Sequence, residues 1–284
     1  MTIQTPTTEP ATAPAPVAPR RRFRFSGERA MFAYTWLVIA WLVLPILLMI
    51  VFGFNNPHGR YNQTWQGFTL KWYREIFSIS DLTSALVMSL VIAVVSALLA
   101  GALGTGIGYA LGRYRFRGAS AMNLVMFTTI SSPELIMGIS LLTLFVSAGA
   151  GLGAVTITIA HVMFSISFVS TVVRARVITL DRSIEEAAAD LGANAWTTFW
   201  KITFPMILPA VFAGVLLAFA LSIDDFVVTN FTAGTTVTFP LWIWGATRVG
   251  LPPQVNVMGT LIFAAGILIA VITNLRSRAK TRRD

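Results

Sequence analysis

The chain alternates between long stretches without charge and short stretches where charge is concentrated. Met31 to Phe54 contains no acidic or basic side chain over 24 residues. Crossing a hydrocarbon core takes roughly 20 helical residues, so a first membrane span is predicted at 31–54. The run is too long for the apolar part of a signal peptide and no clear small-x-small cleavage site follows it, so the span is expected to stay. Further uncharged runs predict spans at about 82–112, 121–146, 154–173, 207–230 and 255–273. Ser131-Ser132-Pro133-Glu134 interrupts the third, and Gly101, Gly104, Gly108 and Gly112 give the second a small-residue face suited to close helix approach. His161, toward the middle of the fourth span, is expected to be a neutral partner in an interhelical hydrogen bond.

One segment breaks this rhythm. Ser183 to Pro205, SIEEAAADLGANAWTTFWKITFP, mixes polar and apolar positions. Ser183 with Glu186 three residues on predicts a capping box, and Ile184, Ala187, Ala188 and Leu191 recur at helical spacing. Gly192 ends that helix, and Asn194 caps a second turn in which Trp196, Phe199 and Trp200 share a face. Pro205 opens the next apolar run. A helix lying on lipid headgroups is normally rich in Lys and Arg, whereas Glu185, Glu186 and Asp190 make this one acidic. A protein partner is therefore the favoured reading.

At these residues the chain resembles the bacterial ABC importer permeases. Glu186-Ala187-Ala188, then Gly192, Ile202 and Pro205, match that family's EAA loop, with Phe204 where Leu is usual. The resemblance implies an all-α integral membrane protein with six transmembrane helices and the type I ABC importer permease fold, its core at 84–273. It implies that segment 183–205 docks into a separate ATPase subunit, with Glu185, Glu186, Ala187, Ala188, Gly192, Ile202 and Pro205 coupling the motor to the membrane helices. Partners would be ABC ATPase subunits, a second homologous permease chain and a soluble or lipid-anchored binding protein.

Composition agrees with a membrane protein: apolar residues make up 55% and charged ones 12% of 284 positions. With no cysteine, disulfides, thiolate metal sites and thiol nucleophiles are excluded. The net charge of +9 is a matter of placement. Both tails and the loops around 113–117 and 174–201 hold all but four of the 21 Lys and Arg, leaving Arg60, Lys71, Arg74 and Arg248 for the opposite side. By the positive-inside rule both termini and the EAA loop are cytoplasmic, and a nucleic-acid partner is set aside; the resemblance implies the inner membrane of a bacterium. Residues 1–30 read as a Pro/Thr/Ala tail, disordered over its prolines, followed by a basic segment; 55–81 reads as an outer loop and 274–284 as a basic tail.

Three acids fall inside predicted spans, Glu134, Asp224 and Asp225, and no Lys or Arg does. An ionised side chain at the bilayer centre costs about 3 kcal/mol on insertion scales, so these acids point to a cationic cargo. At about 1.5 Å per residue Glu134 and Asp224 reach similar depth, the outer half of the core. Asp224 and Asp225, as neighbours on one helix, would point about 100° apart, one to a pathway and one to a neighbouring helix. Pro133 frees a carbonyl that would accept from an ammonium. Trp242 and Trp244 offer an aromatic surface for a cation, or an interfacial belt.

Leu221-Ser222-Ile223-Asp224-Asp225-Phe226, with Phe231, Gly234, Pro240, Arg248-Val249-Gly250 and Asn256, resembles the spermidine/putrescine branch of these importers. So does the segment 132–142, where Glu134 stands for a more usual Asp. That resemblance implies polyamine cargo moved by alternating access. Relatives sharing the pattern carry another small cation, an opine or an amino-acid derivative, and a secondary cation transporter or channel is a reading from a different class. Lys71, Lys201 and Lys280 follow Leu, Trp and Ala, so no Gly-Lys phosphate loop exists. The chain is expected to be no enzyme and to hold no cofactor, ATP and Mg²⁺ belonging on the partner ATPase.

Overall fold

The computed structural model describes residues 25–59 and 61–281. The expected disordered tail with its arginines up to Arg24, then Arg60, Arg282 and Arg283, lie outside the described residues. Within them the regular elements are helices, the one strand-like feature being an isolated bridge between Asn55 and Phe68.

The first helix, α1 (Phe25–Phe52), belongs to a unit of its own that ends at Met49. Most of its described apolar side chains, Trp36, Leu37, Trp41 and Leu42 among them, are exposed. The second unit begins with a connecting segment in which Asn55, fully buried, organises the turn. The Asn55 amide donates to Asn62 Oδ1 and Thr64 O (both 2.7 Å), and its carbonyl accepts from the Trp72 indole at 2.7 Å. A four-residue helix, α2 (Lys71–Arg74), follows.

Three long helices form the core: α3 (Ser80–Arg113), α6 (Ala154–Ile178) and α9 (Phe204–Asp224). Lipid supplies no hydrophobic drive to join helices, so they must fit closely. Gly104 and Gly108 achieve this: a Cβ at Gly104 would lie 2.7 Å from Val169 Cβ, and one at Gly108 only 2.6 Å from the Ser170 carbonyl. Gly101 meets Val215 of α9 in the same way. With 34 residues α3 extends about 50 Å, beyond a hydrocarbon core of about 30 Å, and carries Arg113 clear of the apolar zone.

The third predicted span is two helices, α4 (Ala119–Ser131) and α5 (Glu134–Ser147), bent by 111°. Pro133 cannot donate to the turn before it and holds Ser132 extended (ψ 134°), so the helix stops and restarts. The carbonyl expected to be freed there, that of Thr129, accepts from Ser132 N at 3.4 Å. The fifth span also departs from expectation, because α9 ends at Asp224 instead of running to 230. Asp225 is extended (φ −65°, ψ 120°) and the chain resumes as α10 (Val227–Thr232). The two aspartates are therefore not consecutive helical residues.

Between α6 and α9 lie α7 (Ser183–Asp190), α8 (Ala195–Thr198) and a π-helical turn (Phe199–Thr203) continuous with α9. After α10 come α11 (Phe239–Ala246) and α12 (Pro253–Thr281). Among the described residues four helical stretches are long and apolar enough to span, the bent pair makes five when counted as one span, and Pro253–Ile269 is a shorter apolar stretch, consistent with six.

Candidate functional site: an acidic cavity and a coupling segment

The two helix breaks face one cavity of about 320 Å³, walled by Glu134, Asp224 and Asp225 together with Ser132, Phe164 and Phe168. Glu134 opens α5 and is exposed; Asp224 ends α9 and is exposed; Asp225 turns inward. Among the described residues the cavity walls carry no Lys or Arg. Pro133 makes the bend without joining the wall.

Asp225 is held firmly. Thr229 donates to its Oδ2 twice, from the backbone N–H and from the hydroxyl, both at 2.7 Å, so the carboxylate satisfies the start of α10. His161 Nε2 lies 3.3 Å from the same oxygen. On its other side His161 Nδ1 is 2.6 Å from Ser222 Oγ, itself 3.0 Å from Ser96 Oγ. With one ring proton, on Nε2, Ser222 donates to Nδ1 and Nε2–H to Asp225. The Ser96 hydroxyl donates to Ile92 O at 2.7 Å, and His161 Nε2 also lies 3.0 Å from Thr229 Oγ1. The chain of bonds joins α3, α6, α9 and α10 under the cavity floor. His161 is thus an interhelical partner, and Ser96 and Thr229 are functional candidates that the sequence does not single out, whereas Ser222 is visible there within the Ser-x-Asp-Asp segment.

The tryptophans separate. Trp244 packs on Phe226 with centroids 5.2 Å apart and lines a neighbouring apolar cavity of about 480 Å³ that shares Asp224. Trp242 lines a different cavity, of about 740 Å³, with Trp72 and Gln254.

At the other end of α9 the segment 183–205 folds as helix, turn and helix. The capping box between Ser183 and Glu186 does not form. Arg182 is already helical (φ −69°, ψ −29°), which makes Ser183 the first turn, and Asp181 Oδ1 accepts from Ser183 N at 3.0 Å instead. That hydrogen bond from Ser183 holds the Asp181 carboxyl below the usual carboxylate range. Gly192 at φ +84° closes α7: Ala193 N donates to Ala188 O at 3.0 Å and Gly192 N to Ala189 O at 2.9 Å, the paired bonds of a left-handed helix end. Asn194 Oδ1 accepts from Thr197 N at 2.8 Å and starts α8. Trp196, Trp200 and Phe204 then pack in sequence, the first pair edge-to-face with centroids 5.6 Å apart and the second tilted at 4.9 Å.

Ile184, Ala187, Ala188, Leu191, Lys201 and Ile202 wall a shallow apolar groove of about 420 Å³ between these helices. Leu191 is 89% and Trp196 72% exposed, too much apolar surface to leave to water. Glu186, Ala187, Gly192 and Pro205 are exposed beside it, whereas Glu185 is turned inward. Glu185 Oε2 accepts from Arg113 Nε and faces Nη2 at 2.7 and 2.6 Å, and its Oε1 accepts from the Thr203 hydroxyl at 2.9 Å.

Residues 104–281 match the family described as binding-protein-dependent transport system inner membrane component. The spermidine/putrescine transport system permease protein PotC of Haemophilus influenzae is 36% identical over 247 residues, covering 87% of this chain and 95% of the relative. PotC of Escherichia coli strain K12 is 38% identical, covering 86% and 92%. The putrescine transport system permease protein PotI of the same strain is 38% identical, covering 85% and 89%. Among solved structures, a bacterial ABC transporter involved in import of the acidic polysaccharide alginate matches with a TM-score of 0.59 at 16% identity, covering 89% of this chain and 98% of that one. An amino acid ABC transporter matches with a TM-score of 0.56 at 12% identity, covering 75% and 100%. Those two establish the fold.

Proposed function

The chain belongs to the family of binding-protein-dependent transport system inner membrane components, a permease subunit of an ABC importer and not an enzyme, and from that premise we propose that its cargo is a polyamine. The observation that carries the proposal is the cavity between the two helix breaks, where Glu134, Asp224 and Asp225 meet without a basic side chain in the walls. Intramembrane carboxylates persist where they serve a pathway, and a cargo with several ammonium groups supplies the missing countercharge. The names of the relatives, spermidine/putrescine and putrescine permeases, point to the same chemistry.

In this reading a binding protein delivers the polyamine on the outer side. A second, similar permease chain completes the pathway. The ATPase, with ATP and Mg²⁺ on its own subunits, docks in the apolar groove of segment 183–205. Both termini and that segment are cytoplasmic, and closure of the motor alternates the access of the acidic cavity. Trp244, beside Asp224, adds an aromatic wall for an alkylammonium; Trp242 lines a separate cavity.

The test is uptake into proteoliposomes holding both permease chains and the ATPase, with the binding protein outside. Labelled putrescine and spermidine should enter only with ATP inside. Preference for a monovalent cation, an opine or an amino acid would overturn the polyamine assignment, and uptake driven by membrane potential without ATP would overturn the motor.

A further inference from the structure

We infer that the ion pair between Arg113 and Glu185, with the Thr203 hydroxyl on the same carboxylate, is the link that carries movement of α7 into α3 and α9. Glu185 is then a positioning residue inside the permease and not a contact for the ATPase. The inference rests on the reading of segment 183–205 as the motor's docking site.

Three observations carry it. The backbone of α7 packs on α8 and has no extensive packing with α3 or α9, so side chains make the connection. Both Glu185 oxygens are engaged within the chain: Oε2 by two nitrogens of Arg113, the last residue of α3, and Oε1 by Thr203, the last residue of the π-helical turn before α9. Arg182, just ahead of α7, donates from Nη2 to the Arg113 carbonyl at 3.2 Å, a second tie to the same helix end.

The burial of the pair makes the link stiff. The Arg113 side chain is 9% and that of Glu185 22% exposed, so water competes weakly and separating the charges strands each in a poorly solvated place. An exposed ion pair would yield instead of transmitting. The π-helical turn is where α9 departs from regular hydrogen bonding, the kind of place at which a helix bends. A push on α7 therefore reaches α3 at its end and α9 at its pliable turn. Of the two adjacent glutamates, Glu186 faces outward and Glu185 inward.

The experiment uses the complete importer in proteoliposomes and measures polyamine moved per ATP hydrolysed, alongside co-purification of the ATPase. Arg113→Glu and Glu185→Arg should each lower that ratio about tenfold, within the roughly 5–150-fold range of coupling between sites, while the ATPase still co-purifies. The double swap should restore most of it, and Glu185→Gln, which keeps two hydrogen-bonding groups at normal size, should fall between. An unchanged ratio in both single variants, no recovery in the swap, or loss of the ATPase from Glu185→Gln would overturn the inference. If the unsubstituted complex itself moves no polyamine with ATP, the proposed function has failed instead.

Discussion

Replacing the two neighbouring aspartates one at a time should have unlike effects, because the helix break gives them different surroundings. Asp224→Asn removes a charge that faces the cavity and leaves the packing intact. An ammonium about 4 Å from a carboxylate gains about 4 kcal/mol at an effective dielectric constant of 20 and about 1 kcal/mol in water. Asp224 is exposed to its cavity, so about 2 kcal/mol is a reasonable middle, roughly 30-fold in rate. Since a binding protein delivers the cargo, the loss should fall on the maximal rate of uptake and leave the half-saturating concentration nearly unchanged.

Asp225→Asn keeps an acceptor for Thr229 but turns the contact with His161 into a weaker one. Interhelical hydrogen bonds in membrane proteins average about 0.6 kcal/mol and reach about 1.7 kcal/mol. A measurable drop in the melting temperature of the purified protein is therefore expected, and none for Asp224→Asn. The assays are initial uptake rates in proteoliposomes across a range of polyamine concentrations, and thermal unfolding in detergent. Equal stability losses for both variants, or undiminished uptake with Asp224→Asn, would refute the division of roles.

Three further substitutions test the frame around the sites. Gly192→Asp forces an L side chain into the left-handed region at φ +84°, at a cost of about 1–2 kcal/mol, and should abolish ATP-driven uptake while the chain still inserts, as membrane fractionation would show. Gly104→Leu places carbon 2.7 Å from Val169 and should destabilise the protein by about 1–3 kcal/mol or more; Gly106→Ala, with open space around it, should melt with the parent.

The spans were legible because a bilayer demands long uncharged runs and little else satisfies that demand. The turn at Gly192 and the cap at Asn194 were legible for a local reason: each residue supplies its own geometry or hydrogen bond within three positions. Ser183 shows where local pattern fails, since Asp181 is an equally good capping residue and the helix took the earlier one. The break at Asp225 carries no Pro or Gly, and besides Thr229 its carboxylate faces His161, which comes from another helix. Arg113 and Glu185 stand 72 residues apart, a pairing that a single sequence does not disclose.

The breaks themselves explain why three nearby acids need not behave alike. Non-helical backbone at membrane depth persists where it lines a cavity or is buried in protein, and here both interruptions border the same space. Glu134 stands in the first turn of α5, where the positive end of the helix dipole favours an anion. Asp225 is compensated by the start of α10, the Thr229 hydroxyl and His161. Asp224 instead closes α9, at the negative end, where the last helical carbonyls lack intrahelical partners. Its charge and those dipoles act in the same direction, and a cation is what relieves both. Of the three, Asp224 therefore has the most to gain from the cargo's ammonium, which is why its substitution should slow transport most while disturbing the fold least.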